Sequence, residues 1–168
     1  IDPLLEELKP DAFLVLGDTN SCLCSIPAKK RHIPIFHMEA GNRCFDQRVP
    51  EETNRRIVDH FADFNLAYTN NAKDNLLREG VHPRNIAVTG SPLCEVISHF
   101  SGEINSSAIL KELKLKSDNY FVVSAHRQEN VDDSVRLRDL VETLNEIAVR
   151  FSLPIVVTTH PRTKSKLD

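Results

Sequence analysis

A chain of 168 residues, 40% hydrophobic and 27% charged, has the balance of an ordinary folded protein, with room for one core or two half-sized ones. Its formal net charge of −3, with Lys29-Lys30-Arg31 as the one basic run, excludes the clustered basic face of a nucleic-acid binder. Cys22, Cys24, Cys44 and Cys94 lack zinc-site spacing, and no signal peptide or membrane span is evident, so we expect reduced thiols, no metal, no cofactor, no membrane contact and a cytoplasmic location.

Taken in order, a short helix from Pro3 to Leu8 precedes the turn Lys9-Pro10-Asp11 and the apolar run Ala12 to Leu16. A strand without polar alternation is expected to be covered on both faces, which implies a parallel sheet between layers of helices. Gly17-Asp18-Thr19-Asn20-Ser21 follows, then a helix over roughly 20–31 and a strand from Ile33 to Phe36. A third strand, Asn65 to Tyr68, leads to Thr69-Asn70-Asn71, whose amide is expected to cap a helix ending at Glu79-Gly80. Ile86 to Thr89 makes a fourth strand, closed by Gly90-Ser91-Pro92, and the repeated βα order defines the fold class as α/β.

The rhythm changes after a helix from about Leu93 to Phe100. Ser101-Gly102 and Asn105-Ser106-Ser107 have the composition of a linker, which divides the chain into residues 1–100 and 101–168. Beyond it we expect a helix around 107–114, a strand from Tyr120 to Ser124, and the loop Ala125-His126-Arg127-Gln128-Glu129-Asn130. Leu137, Leu140, Val141, Leu144, Ile147, Ala148 and Phe151 then recur at helical spacing, and a strand from Ile155 to Thr159 ends at His160.

Chemistry gathers between His37 and Arg55. Pro50 suits a first helical position, and Glu51 and Glu52 then fall in the first turn, where the macrodipole favours acids. Asn54, Ile57, Val58 and Phe61 mark the inner face of that helix. Glu51 with Arg55 and Glu52 with Arg56 have i,i+4 spacing, and pairs worth roughly 0.2–0.5 kcal/mol each could account for both acids without any ligand. Glu39 follows a buried strand directly and needs a partner or a ligand. Asp18, Glu39, His126 and His160 each follow a strand, where open parallel sheets bind ligands. Together they outline a cleft with carboxylates from one α/β unit and imidazoles from the other. No Gly-x-Ser-x-Gly, P-loop or Gly-x-Gly-x-x-Gly is present, which disfavours a serine hydrolase, a kinase and a dehydrogenase.

Gly17-Asp18-Thr19, His37-Met38-Glu39-Ala40-Gly41-Asn42-Arg43, Pro50-Glu51-Glu52-Thr53-Asn54-Arg55, Thr89-Gly90-Ser91-Pro92 and Ser124-Ala125-His126-Arg127-Gln128-Glu129-Asn130 occur in the order and spacing of a known family. The chain resembles the non-hydrolysing UDP-N-acetylglucosamine 2-epimerases of bacteria, and Cys44 to Val49 look most like the capsule and O-antigen branch. The resemblance implies two Rossmann-like domains with helices on both sheet faces, in the glycosyltransferase-B arrangement. It implies interconversion of UDP-GlcNAc and UDP-ManNAc by elimination and re-addition of UDP, or in that branch a 2-epimerase making UDP-N-acetyl-L-fucosamine from the L-talose isomer.

By the same resemblance Asp18, Glu39, Glu51 and His126 are the catalytic positions, and Arg43, Glu52, Arg127 and His160 are substrate-binding ones. Complete members are about twice this length, so the chain is expected to hold the end of the first domain and the start of the second. Partners are then a UDP-sugar and either a second copy or the halves it lacks. A non-catalytic nucleotide-sugar-binding product of a split gene is the alternative. A glycosyltransferase of the same architecture would give no reason for three acids together.

Overall fold

Four apolar runs, each followed by a turn and a helix, assemble side by side in chain order. The computed structural model describes residues 1–125 and 133–158. The chain divides into two compact units, residues 1–99 and 100–168. In the first, β1 (Phe13–Leu16), β2 (Ile35–Ala40), β3 (Phe64–Ala67) and β4 (Ile86–Val88) form one parallel sheet in the order β1-β2-β3-β4. Strict neighbour-to-neighbour parallel pairing requires a crossover between every pair of strands. The crossovers are a 3-10 turn (Asn20–Cys24) with α2 (Ser25–Lys30), then α3 (Pro50–Phe61), and α4 (Asn70–Arg78), while α1 (Asp2–Leu8) precedes β1.

Leu5, Val15, Cys22, Ala28, Ile33, Ile35, Val58 and Ala62 form the main core, and Ala40, Ala67, Ala72 and Leu76 a second one beneath α4. These buried strand residues share one face of the sheet. On the other, Leu14 and Leu16 are each 64% exposed, Phe64 44%, and Phe36 stacks on Phe64 at 4.8 Å. The expected cover on both faces is therefore absent among the described residues: an uninterrupted apolar run shows that both faces avoid water, not which segment covers them.

Four local expectations are corrected. The strand expected to stop at Phe36 continues to Ala40, because its ladder runs to Met38 beside β1 and to Ala40 beside β3. The helix expected over 20–31 is a 3-10 turn followed by α2, and Pro27, having no N–H, cannot bond back into the preceding turn. The hydroxyl of Thr69 caps α4 by accepting from Ala72 N at 3.1 Å, in place of the asparagine amide. The linker-like stretch is largely helical, with α5 (Leu93–His99) followed by α6 (Ser101–Ser106).

The second unit contains α7 (Ile109–Glu112), β5 (Phe121–Ser124), α8 (Ser134–Phe151) and β6 (Ile155–Thr158), with β5 and β6 parallel. Asp133 caps α8 by accepting from Val135 N and Arg136 N. Leu137, Leu140, Val141 and Leu144 of α8 face Ile155 and Val157 across an apolar groove of about 350 Å³. No described residue of this unit is buried. No helix among the described residues is long and apolar enough to cross a membrane.

Candidate active site

The carboxyl ends of β1 and β2 and the N-terminal half of α3 converge on one point. Gly17 ends β1 with φ +74°, and its N–H bonds Met38 O at 3.1 Å, so the chain turns sharply there and presents Asp18. Glu39 lies inside β2 rather than beyond it, at a register shift between Met38 and Ala40. Its φ of +64° is uncommon for a residue with a side chain, and such bulges re-aim side chains at functional sites. The Glu39 carboxylate comes within 3.5 Å of where a Gly17 Cβ would stand. Gly41, at φ +78°, has no room for any side chain, since its Cβ would lie 2.3 Å from Ala72 O.

Arg55 ties the two acids together. Its Nη2 donates to the Asp18 carboxylate and reaches Glu39 Oε1 at 3.4 Å, while Nη1 donates to the Glu39 carbonyl at 3.1 Å. Asn54, one residue earlier, donates to Asp18 O and to Asn20 Oδ1, both at 3.0 Å. Arg55 is 6% exposed as a residue, whereas the Asp18 and Glu39 side chains retain 24% and 36%. The cation is thus the buried base of the site, and the carboxylates are its open face. Asn42 Nδ2 adds a contact to Glu39 Oε1 at 3.4 Å. Tyr68, just past β3, has its phenol pushed up by burial and by the Glu39 charge, with Arg55 opposing.

The expected i,i+4 pairing divides. Glu52 accepts from Arg56 Nε at 2.9 Å, but Arg55 turns to Asp18 and Glu39, and Glu51 stays exposed in the first turn of α3. Of the inner-face residues, Asn54 and Val58 are buried, while Ile57 is 40% exposed.

Two expected substrate-binding residues, Arg43 and Glu52, have buried side chains bonded to protein partners. Arg43 has a fully buried side chain: Nε and Nη2 donate to Glu79 at 2.9 and 2.6 Å, and Nη1 to Asp59 Oδ2 at 2.7 Å and Asn42 O at 2.8 Å. Burial opposes its charge, but the bonds to Glu79 and Asp59 prevail and hold its pKa above the ordinary guanidinium value. Glu52, its side chain 3% exposed, accepts from Cys44 N at 2.9 Å and so anchors the loop that joins β2 to α3. His126, Arg127 and His160 lie outside the described residues.

The sequence reading missed the roles of Arg55, Asn54 and Asp59. One signal was available for Arg55 and Asn54: they lie one turn into a helix whose N-terminus faces the strand ends.

Fold and site together define an α/β protein with a cation-supported pair of carboxylates at the carboxyl ends of parallel strands. The UDP-N-acetylglucosamine 2-epimerase family profile matches residues 1–168, and the chain belongs to this family. A UDP-N-acetylglucosamine 2-epimerase of Methanocaldococcus jannaschii is 38% identical, over 99% of this chain and 47% of its own length. A UDP-2,3-diacetamido-2,3-dideoxy-D-glucuronate 2-epimerase of Pseudomonas aeruginosa is 39% identical, over 99% and 46%. Among solved structures, a UDP-N-acetylglucosamine 2-epimerase from Rickettsia bellii superimposes with a TM-score of 0.89 at 47% identity, covering 99% of this chain and 43% of that one. The M. jannaschii enzyme in complex with UDP-GlcNAc and UDP gives 0.87 at 34% identity, covering 99% and 46%. The chain spans about half the length of the relatives it matches.

Proposed function

We propose that this chain is the central part of a sugar-nucleotide 2-epimerase that interconverts UDP-GlcNAc and UDP-ManNAc. The observation that carries the reading is the pair Asp18 and Glu39, held on Arg55 with their carboxylates open, in a chain that belongs to this family. The reaction needs both kinds of group. As the C1–O bond to UDP breaks, the electron pair leaves with the diphosphate and positive charge grows on the ring, which acidifies the C2 hydrogen. A carboxylate takes that proton, leaving a 2-acetamidoglucal and UDP. Return of a proton to the opposite face of C2, with re-addition of UDP at C1, inverts the centre.

Asp18, Glu39 and Glu51 are the groups proposed to work on the sugar. His126, with Arg127 and His160, is proposed to receive the diphosphate. Residues 1–100 and 101–168 would then belong to two Rossmann-like domains in a glycosyltransferase-B arrangement, in a cytoplasmic enzyme. The exposed sheet face at Leu14, Leu16 and Phe64 supports a site for the remaining segments of such an enzyme, and a homodimer of the completed chain fits the same reading. The family also contains enzymes acting on other UDP-sugars, as the P. aeruginosa relative illustrates. The L-fucosamine branch is therefore the second reading, favoured by Cys44 to Val49.

Calorimetric titration of UDP and UDP-GlcNAc tests the proposal. The 168-residue chain is expected to bind weakly and turn over neither sugar, and a chain extended at both ends to family length to bind both. Robust turnover by the 168-residue chain alone would contradict the fragment reading, and no binding by the extended chain would contradict the substrate.

A further inference from the structure

Asn20 is an exposed asparagine two residues past Asp18, at the start of the 3-10 turn, and the proposed reaction gives it no task. Its carboxamide has a fixed orientation. Asn54 Nδ2 lies 3.0 Å from the carbonyl oxygen of Asp18 and 3.0 Å from the Asn20 carboxamide. A backbone carbonyl only accepts, so the Asn54 atom between the two is its NH2 nitrogen, and the Asn20 atom facing it must be the oxygen, Oδ1. Asn54 is 7% exposed, so the NH2 of Asn20 is left on the outer side, beside the turn that presents Asp18. Among the described residues this NH2 has no protein acceptor.

Other donors around the two acids are engaged. Arg55, 6% exposed, directs Nη1 to the Glu39 carbonyl and Nη2 to both carboxylates. Both amide hydrogens of Asn54 go to Asp18 O and Asn20 Oδ1. Asn42 Nδ2 turns to Glu39 Oε1 at 3.4 Å, and the hydroxyls of Thr19 and Ser21 bond each other at 2.7 Å. The carboxylates of Asp18 and Glu39 offer acceptors alone.

A 2-acetamido sugar brings two kinds of polar group to such a site. Its hydroxyls and its acetamido N–H can donate, and carboxylates satisfy them. The acetamido carbonyl can only accept, and it hangs from C2, the carbon at which the proposed reaction moves a proton. Placed beside Asp18 and Glu39 without a donor, it would lose its hydration and gain no bond in return. The diphosphate also only accepts, and in the proposed reaction the second unit receives it.

We propose that Asn20 is a specificity-determining residue: its NH2 donates to the carbonyl oxygen of the substrate's 2-acetamido group, so that the site selects UDP-2-acetamido sugars over those with a hydroxyl at C2. Asn54, by holding Oδ1, points the donor outward. The assignment rests on the epimerase reading.

The test is calorimetric titration of UDP-GlcNAc, UDP-glucose and UDP into the chain extended to family length, unmodified and as Asn20→Ala or Asn20→Asp. UDP-glucose carries a hydroxyl where UDP-GlcNAc carries the acetamido group, so the comparison isolates the proposed bond. Asn20→Ala should weaken UDP-GlcNAc about 3–10-fold, the worth of one hydrogen bond, and leave UDP-glucose and UDP unchanged. Asn20→Asp keeps the oxygen that Asn54 holds and sets a second oxygen where the NH2 stood. It should weaken UDP-GlcNAc by about 10–100-fold, because two acceptors then face one another, and spare UDP-glucose, whose hydroxyl can donate. Equal losses for UDP-GlcNAc and UDP-glucose, or no loss for UDP-GlcNAc, would overturn the assignment. Should Asn20→Ala fail to fold, Asn20→Asp, which retains the bond to Asn54, decides alone. An unmodified extended chain that bound no UDP-sugar would overturn the epimerase reading and the assignment with it, whereas unselective losses in the variants, with binding by the unmodified chain intact, would overturn the assignment alone.

Discussion

Arg55 reaches from the second turn of α3 to Asp18, 37 positions earlier in the chain, and the same nitrogen also approaches Glu39. One guanidinium therefore sets the spacing of two acids that come from different strands. Replacing it should cost about 1.5–3 kcal/mol, the range for hydrogen bonds to charged groups, because Asp18 and Glu39 would then face one another without a cation. Arg55→Lys should recover only part of that loss, since an ammonium cannot serve two carboxylates and a carbonyl with a fixed planar fork. Urea denaturation of Arg55→Ala and Arg55→Lys checks the order.

Arg43 offers a sharper stability test. Its side chain is fully buried between Asp59 and Glu79, and removing one partner from a buried ion network leaves a charge uncompensated. Arg43→Ala should cost about 3–5 kcal/mol in chemical denaturation. A loss within the range of a surface pair, about 0.2–1 kcal/mol, would contradict the geometry.

The pH dependence follows from Glu79. Its bonds to Arg43 hold its pKa below the ordinary value of 4.5, against the opposing effect of burial. A carboxylate lowered by folding stabilises the folded state above its ordinary value, and that contribution is lost as the pH falls through the lowered one. Stability should therefore drop on acidification from about pH 4.5 downward, and Glu79→Gln should flatten that slope. Denaturant midpoints between pH 3 and 7 measure it.

Tyr68 reports on the Glu39 charge. Burial and that carboxylate both raise its phenol above the ordinary value of 10.0. In Glu39→Gln the phenolate of Tyr68 should form at lower pH. Ultraviolet difference titration measures it, and an unmoved Tyr68 would place Glu39 elsewhere.

The alternation of strands and helices was legible in the sequence because apolar runs and helical periodicity are local signals. So was the position of Asp18, since a Gly-Asp pair after an apolar run can only be a turn. Glu39 was read as lying beyond its strand, because a charged residue inside a ladder is improbable until its left-handed backbone at a bulge is seen. The choice of Arg55 between Glu51, four residues away, and Asp18, on another element, depends on tertiary placement that spacing does not carry. The approach of His37 to Asp59, 22 positions apart, was missed for the same reason. Ser101 to Ser106 show the reverse error, in which polar composition was read as linker although the backbone is helical.

The most direct test of the central claim is incorporation of deuterium at C2 of UDP-GlcNAc in heavy water, using the chain extended to family length. We predict exchange together with formation of UDP-ManNAc, and losses of about 10²–10⁴-fold in Asp18→Asn and in Glu39→Gln, the usual contribution of a positioned acid or base. Exchange at the wild-type rate in both variants would contradict the account.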